Sequence, residues 1–177
     1  MMKKWKEFYL KDLKRYGNAK IDSDLRKFFK YFRKIQFSTN RISLLFFKYI
    51  FRTIKRKRYL EVFGKTDIGE GLYIGHAYGI TINPEVRIGK NCNIHRGVLI
   101  GQENRGSRKG VPSIGDEVWI GINACIVGKI NIGNDVLIAP NSFVNCDVPS
   151  HSVVFGNPCV IKHKDNATEG YINNKIN

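Results

Sequence analysis

Aliphatic residues recur every six positions along most of this chain. From residue 114 onward the series is Ile114, Ile120, Ile126, Ile132, Ile138 and Val144. Four positions after each comes a second small or apolar residue: Val118, Ala124, Ile130, Val136, Ser142 and Val148. A period of six is neither the 3.6 of an amphipathic helix nor the two of an alternating strand. It is typical of a prism in which each hexapeptide forms one short parallel strand and one corner.

The same period runs through the middle of the chain, with two interruptions. One phase holds Ile82, Ile88, Ile94 and Ile100, and an earlier pair, Ile68 and Ile74, is two residues out of step. The second interruption is an insertion at 102–113, rich in glycine, serine and charge. The pattern therefore predicts a mainly β fold, a parallel β-helix over 61–161 with a loop at 102–113, followed by a C-terminal tail at 162–177.

Residues 1–60 follow a helical period instead. Leu25, Phe28, Phe29 and Phe32 fall on one face of a helix that Ser23 is expected to cap, and a second helix is expected over 41–57. The same 60 residues hold 19 Lys and Arg against 4 Asp and Glu, whereas residues 61–177 hold 11 of each. This split predicts a boundary near residue 60 and a basic α-helical N-terminal region.

Two explanations of the basic region remain open. The helices cap the open end of the prism, or their basic aromatic surface rests on an anionic membrane. The sequence contains no apolar run long enough to cross a bilayer and no secretory signal, which predicts a cytoplasmic protein, with the inner face of the membrane as an alternative location. No nucleic-acid-binding module is present to use the charge. Four cysteines, at 92, 125, 146 and 159, match neither a zinc spacing nor a redox pair.

The stretch from Ile68 to Ile161 resembles the serine acetyltransferase branch of the hexapeptide acyltransferases. The segments that carry the resemblance are IGEGLYIGHAYGI, VRIGKNCNIHRGVLIG, PSIGDEVWIGINACIVGKINIGNDVLIAPNSFV and VPSHSVVFGNPCVI. The resemblance implies a left-handed β-helix, acetyl-CoA as co-substrate without a metal, and a homotrimer with clefts between subunits. It also implies that His76 is the general base and that Glu61, fifteen residues earlier, orients it.

Three positions depart from the family. Gly75, Gly110 and Val111 stand where serine acetyltransferases carry an Asp and an Arg-His pair, which argues against L-serine as acceptor. The turn from His76 to Asn83 is similar to that of colanic acid acetyltransferases instead. A saccharide hydroxyl in surface polysaccharide biosynthesis, free or on a lipid-linked glycan, is therefore the expected acceptor, reached by direct transfer in a ternary complex. The expected substrate-binding residues are Tyr78, His95, Arg96, Arg105, Arg108 and Lys109.

Several of the assigned site residues, and the function itself, have alternative explanations. The family position of CoA implies contacts at Gln102, Ile122, Pro140, Lys162 and Lys164, although the two lysines also suit an ordinary basic tail. His95 and Arg96 also suit a solvated corner or a trimer contact, and the insertion also suits a flexible loop. A zinc site at His76 and His95 would lack a third histidine within reach. The alternative functions are serine O-acetyltransferase of cysteine biosynthesis and a non-catalytic β-helix scaffold.

Overall fold

The structure is a computed structural model that describes residues 3–177; Met1 and Met2, the first two residues of the predicted N-terminal region, lie outside the described residues. Three helices precede fourteen short strands. The helices are α1 (Lys4–Lys14), α2 (Ser23–Gln36) and α3 (Arg41–Arg56). The strands are β1 (Asp67–Ile68), β2 (Tyr73–Gly75), β3 (Thr81–Ile82), β4 (Arg87–Ile88), β5 (Asn93–His95), β6 (Leu99–Gly101), β7 (Ser113–Ile114), β8 (Trp119–Ile120), β9 (Cys125–Val127), β10 (Asn131–Ile132), β11 (Val136–Ile138), β12 (Phe143–Val144), β13 (Ser152–Phe155) and β14 (Val160–His163).

The strands form the three faces of a prism. Their orders are β1-β4-β7-β10, β14-β13-β11-β8-β5-β2 and β12-β9-β6-β3, and every pairing is parallel except that of β13 with β14. Each face stacks its aliphatic residues in register, for example Ile82, Ile100, Ile126 and Val144. Every residue of both six-residue series is buried. The period of six therefore predicted which side chains fill the interior.

The two interruptions occur where the period predicts them. The two-residue slip widens the corner between β2 and β3, and the insertion lies between β6 and β7. The insertion is folded back on itself: Glu103 and Gly110 exchange backbone hydrogen bonds of 3.0 and 2.9 Å, and Arg108 forms an ion pair with Glu103. These contacts give the loop a defined path, which does not favour the alternative of a flexible loop.

The three helices close the end of the prism at β1 and β2. Phe28, Phe29 and Phe32 of α2 belong to the same continuous apolar core as Ile68 and Ile80. The sequence analysis missed α1, and it placed the cap of α2 one residue late, because the Asp22 carboxylate accepts the hydrogen bond from Leu25 N–H.

Two arginines of the helices bind the carbonyl groups of the first coil. Arg33 and Asp12 form a fully buried ion pair, with Nε to Oδ2 at 2.7 Å and Nη2 to Oδ1 at 2.8 Å. The Arg33 guanidinium also donates to the carbonyls of Ile68 and Gly69, and Arg15 donates to the carbonyl of Gly71. Among residues 3–177 no strand precedes β1 or β2 on its face of the prism, so the helices act as the cap that the edge of a solenoid requires.

The C-terminal tail runs back along the prism. Asp135 accepts hydrogen bonds from the Ala167 and Thr168 backbone N–H groups, and Asn91 exchanges two hydrogen bonds with the backbone of Ile176. Residues 164–177 therefore pack as a strap along one corner, from the last coil to the first. At the last coil, the thiols of Cys146, after β12, and Cys159, before β14, lie 3.7 Å apart. Their spacing in sequence did not predict this proximity.

Candidate functional site

One corner of the prism brings His76 together with several of the predicted site residues. It is the corner that follows β2, β5, β8 and β11, and its turns stack through backbone hydrogen bonds. Gly97 N–H donates to Tyr78 O at 3.0 Å, Asn123 N–H to Arg96 O at 3.0 Å, and Asn141 N–H to Ile122 O at 2.9 Å. We call this stack the His76 corner; its members are His76–Gly79, Arg96–Gly97, Ile122–Asn123 and Pro140–Asn141.

His76 is the first residue of the corner and is exposed. Its φ of 51° lies in the left-handed region, as do those of Asn123 and Asn141 on the same corner, so this conformation belongs to the turn of the prism. The imidazole lines a cavity of about 530 Å³ together with Arg58, Tyr78, Arg96 and Asn123. None of the side chains that line this cavity is acidic, so the cavity suits a ligand with a negatively charged group.

Glu61 contacts Thr81 rather than the predicted partner, His76. Its backbone pairs with Thr81, five residues beyond His76, and its carboxylate accepts a hydrogen bond from Thr81 Oγ1 at 3.4 Å. Among the described residues it forms no hydrogen bond with His76. A regular coil spans eighteen residues, and the widened corner adds two, so the stacking partner of Glu61 is Thr81, twenty positions on, whereas His76 is only fifteen positions on.

His95 is held next to the His76 corner by the strand register. It pairs with Gly75, and its Nδ1 lies 2.9 Å from the carbonyl oxygen of Ile120. A carbonyl oxygen only accepts hydrogen bonds, so Nδ1 carries the proton and Nε2 has a free lone pair. Burial of the ring lowers the pKa of His95, which keeps the imidazole neutral.

The remaining predicted residues are spread along the prism. Ile122 and Pro140 share the His76 corner, whereas Gln102 lies after β6 on the next corner and bonds Asn104. Lys162 lies on β14 and Lys164 just after it, at the far end of the prism. The side chains of the insertion, Arg105, Arg108 and Lys109, are exposed and do not line the cavity of His76 within one chain.

The comparisons with known proteins give relatives but no matching family model. A serine acetyltransferase of Staphylococcus xylosus is 39% identical over 106 residues, which are 60% of this chain and 49% of that protein. Serine acetyltransferase 2 of Arabidopsis thaliana is 38% identical over 108 residues, 58% of this chain and 33% of that protein. The chain thus spans half or less of the length of these curated relatives.

Solved structures match over most of the chain. The serine acetyltransferase of Neisseria gonorrhoeae in complex with serine gives a TM-score of 0.70 at 26% identity, over 89% of this chain and 69% of that one. The soybean serine acetyltransferase apoenzyme gives 0.76 at 23% identity, with the same coverage. The fold is that of the serine acetyltransferases. It is the hexapeptide-repeat acyltransferase fold, as the resemblance implied.

These matches overturn the expected acceptor. The relatives and the structures are named for serine, so the expectation of a saccharide acceptor and of a role in polysaccharide biosynthesis is wrong. That expectation depended on three positions, Gly75, Gly110 and Val111, taken one by one. It overlooked Arg58, which the fold brings to the His76 cavity from the end of the helical region. Arg58 ends the basic run at 55–58, for which capping of the prism and contact with a membrane were the two explanations considered.

Proposed function

We propose that this protein is an O-acetyltransferase that moves an acetyl group from acetyl-CoA to the hydroxyl of serine. The observation that carries the proposal is the position of His76, at a basic cavity on the same corner as Ile122 and Pro140. The relatives named serine acetyltransferase supply the acceptor, and a related structure is named as a complex with CoA.

In the proposed reaction His76 does the proton chemistry. A serine hydroxyl is a weak nucleophile near neutral pH, and an imidazole can accept its proton as the oxygen attacks the thioester carbon. The resulting imidazolium then donates that proton to the sulfur of the departing CoA, so no covalent enzyme intermediate is needed. Glu61 would assist by orienting the ring, provided that its carboxylate turns from Thr81 toward His76.

The charges around His76 suit an amino acid better than the sequence indicated. Arg58 and Arg96 line the cavity and can pair with the α-carboxylate of serine. Arg58 is already oriented, because its Nη2 bonds the Asp22 carboxylate at 2.6 Å and its Nη1 bonds the Ala77 carbonyl at 3.3 Å. Neither arginine was predicted to recognise a carboxylate.

The test is release of free CoA thiol from acetyl-CoA in the presence of L-serine. Removing a general base costs about 10²- to 10⁴-fold in turnover, so we expect that loss in His76→Ala. The matched control is His163→Ala, because His163 is exposed on β14, away from the cavity. Equal activity of both variants would overturn the role of His76, and wild-type protein that transfers to no hydroxyl would support the scaffold alternative.

We also propose that the working form is a homotrimer. The His76 cavity is open on one side within a single chain, and residues Arg105, Arg108 and Lys109 lie away from it. A neighbouring subunit would bring its own insertion to this cavity and complete the cleft that the resemblance implies. Sedimentation equilibrium should give three times the mass of the chain, 20.3 kDa; a monomer with full activity would contradict the proposal.

Peripheral membrane contact is a separate proposal supported by α3. Among the described helices, none has both the length and the apolarity to span a bilayer. However, α3 exposes an apolar stripe at helical spacing, formed by Ile42, Leu45, Phe46 and Tyr49. No acidic residue occurs between positions 25 and 60, so this face would repel a second copy of itself and attract anionic lipid.

Vesicle co-sedimentation tests the membrane proposal. We expect binding to vesicles that contain phosphatidylglycerol, weaker binding to pure phosphatidylcholine, and loss of binding in the triple variant Ile42→Ser, Leu45→Ser, Phe46→Ser. Phe155→Ser removes an exposed aromatic ring on β13 and is the control. If the triple variant changes the oligomeric mass and leaves vesicle binding unchanged, the stripe is an interface between subunits and the proposal is wrong.

A further inference from the structure

His95 and Gly75 fit together as a pair. The two residues are opposite each other on β5 and β2, and a Cβ atom added to Gly75 would lie 2.4 Å from Cδ2 and 2.7 Å from Nε2 of His95. Real Cβ atoms do not approach other atoms so closely. The imidazole therefore occupies the space that a side chain at position 75 would need, directly beside His76.

The orientation of the imidazole is fixed from three sides. Its Nδ1–H donates to Ile120 O, and its ring packs on Trp119 with centroids 4.7 Å apart. On the third side it meets the bare backbone of Gly75. Among residues 3–177, Nε2 receives no hydrogen bond. An oriented acceptor atom without a donor, next to the predicted base, is suited to bind a donor group of a ligand.

His76 and His95 line two separate cavities. The larger one holds His76, Arg58 and Arg96, and a smaller one of about 230 Å³ is lined by His95, Tyr73 and Trp119. Because Gly75 has no side chain, the His95 ring meets its bare backbone, and His76 is the next residue along the chain. A small molecule at this point can present a hydroxyl to His76 and a carboxylate to Arg96, and can turn a third group toward Nε2 of His95.

We propose that Nε2 of His95 accepts a hydrogen bond from the α-ammonium group of the acceptor amino acid, and that Gly75 is required to leave room for this imidazole. The inference rests on the proposed function, since it assigns one more contact of the same acceptor. His95 would thus select acceptors that carry an amine. A neutral ring is the suitable partner, because an imidazolium has no lone pair to offer and would repel an ammonium group.

The experiment compares L-serine with 3-hydroxypropionate, which is serine without its amine. In His95→Phe we expect the KM for L-serine to rise about 10- to 100-fold, as for loss of a charged hydrogen bond, with kcat within about threefold. The kcat/KM for 3-hydroxypropionate should stay unchanged. His95→Gln, whose amide oxygen can accept a hydrogen bond, should restore part of the affinity for serine. Equal losses with both acceptors, or no loss with serine, would overturn the proposal.

Gly75→Ala is the second arm of the experiment. The added methyl group displaces the His95 ring, so this variant should raise the KM for serine much as His95→Phe does. In a His95→Ala background the same change should have little further effect, because the ring it displaces is absent. Additive losses would show that Gly75 acts independently of His95. Circular dichroism and thermal melts confirm that each variant is folded.

A binding measurement separates this inference from the proposed function. The ¹⁵N chemical shift of His95 Nε2 reports a hydrogen bond to that atom whether or not turnover occurs. If the protein transfers no acetyl group but the Nε2 signal shifts on addition of L-serine, and not of 3-hydroxypropionate, the proposed function is wrong and the inference stands. If the protein acetylates serine while the Nε2 signal stays unshifted, the proposed function stands and the inference is wrong.

Discussion

The helical cap and the β-helix share one apolar core, but only the cap carries a large net charge. The β-helix, residues 61–161, fills its interior with stacked aliphatic side chains, and the chain from residue 61 onward carries no net charge. The cap, residues 3–60, carries the whole excess of positive charge and buries an ion pair, Arg33 with Asp12, with both side chains at 0% exposure.

The difference follows from where the repeat stops. Inside the prism the backbone groups of each coil pair with those of the next, and side chains such as Asn134, which accepts from Asp116 N–H, only add to that ladder. At the first coil that ladder ends, and the carbonyls of Ile68, Gly69 and Gly71 are bound by Arg33 and Arg15 instead. Charge is buried at the position where the repetitive hydrogen bonding is incomplete.

The largest expected effect comes from breaking the buried pair. Arg33→Ala leaves the Asp12 carboxylate buried without its partner and removes the donors to two carbonyls of the first coil. Loss of one member of such a pair costs about 3–5 kcal/mol of unfolding free energy. Urea denaturation measures it, with Lys57→Ala as the control. Lys57 forms an exposed ion pair with Asp24, worth at most about 1 kcal/mol. Similar effects of both variants would mean that the cap is not held by its buried charge.

This comparison also explains what the sequence could and could not predict. The prism repeats, so one aliphatic residue in six identifies its faces, its interior and the positions of both interruptions. The cap does not repeat. Helix α1 was missed because its buried contacts come from Asp12, and from Arg15 just after it, rather than from an apolar stripe.

The candidate site was predictable in part, less fully than the prism and more fully than the cap. Arg96 was expected about one coil after His76 and Ile122 came from the family position of CoA, and the structure stacks the three residues on one corner. The partner of Glu61 was misplaced because fifteen residues were counted as about one coil, whereas a regular coil of eighteen residues and the two extra residues of the corner lead to Thr81. The approach of Arg58 to the cavity depends on the packing of the cap against the prism, which no local pattern encodes.

A smaller effect should come from the corners of the prism itself. A Cβ added to Gly115 would lie 2.8 Å from the backbone of Gly133 in the next coil and 2.4 Å from Asn134 Oδ1. Because backbone of the next coil cannot move without breaking the ladder, Gly115→Ala should lower the unfolding free energy by about 1–3 kcal/mol. Gly101→Ala is the matched control, since there the new Cβ would meet only side chains of Leu99 and Val127 at 3.0 Å or more. Equal melting temperatures of the two variants would show that coil spacing adapts more easily than this packing implies.

The smallest effect is expected where the C-terminal strap joins the prism, through the buried carboxylate of Asp135. Burial raises the pKa of Asp135, but hydrogen bonds from Thr168, His151 and Ala167 outweigh it and leave the pKa below its usual 3.8. The ionised carboxylate therefore holds the strap above about pH 4, and its contribution is lost as the pH falls through the lowered pKa.

Asp135→Asn tests this contact without disturbing the backbone, because asparagine tolerates the left-handed φ of 52° found at this position. The neutral amide loses the charge that strengthens three hydrogen bonds from the strap, so local opening should become easier by about 1 kcal/mol. Amide hydrogen exchange at Ala167 and Thr168 should then speed up severalfold at neutral pH, while exchange in β8 and β11 stays unchanged. Asp165→Asn, which neutralises a largely exposed carboxylate at the start of the strap, should leave those amides unaffected. Faster exchange throughout the prism would instead mean that the strap stabilises every coil that it crosses. The prism, like the cap, would then depend on a buried charge for its stability.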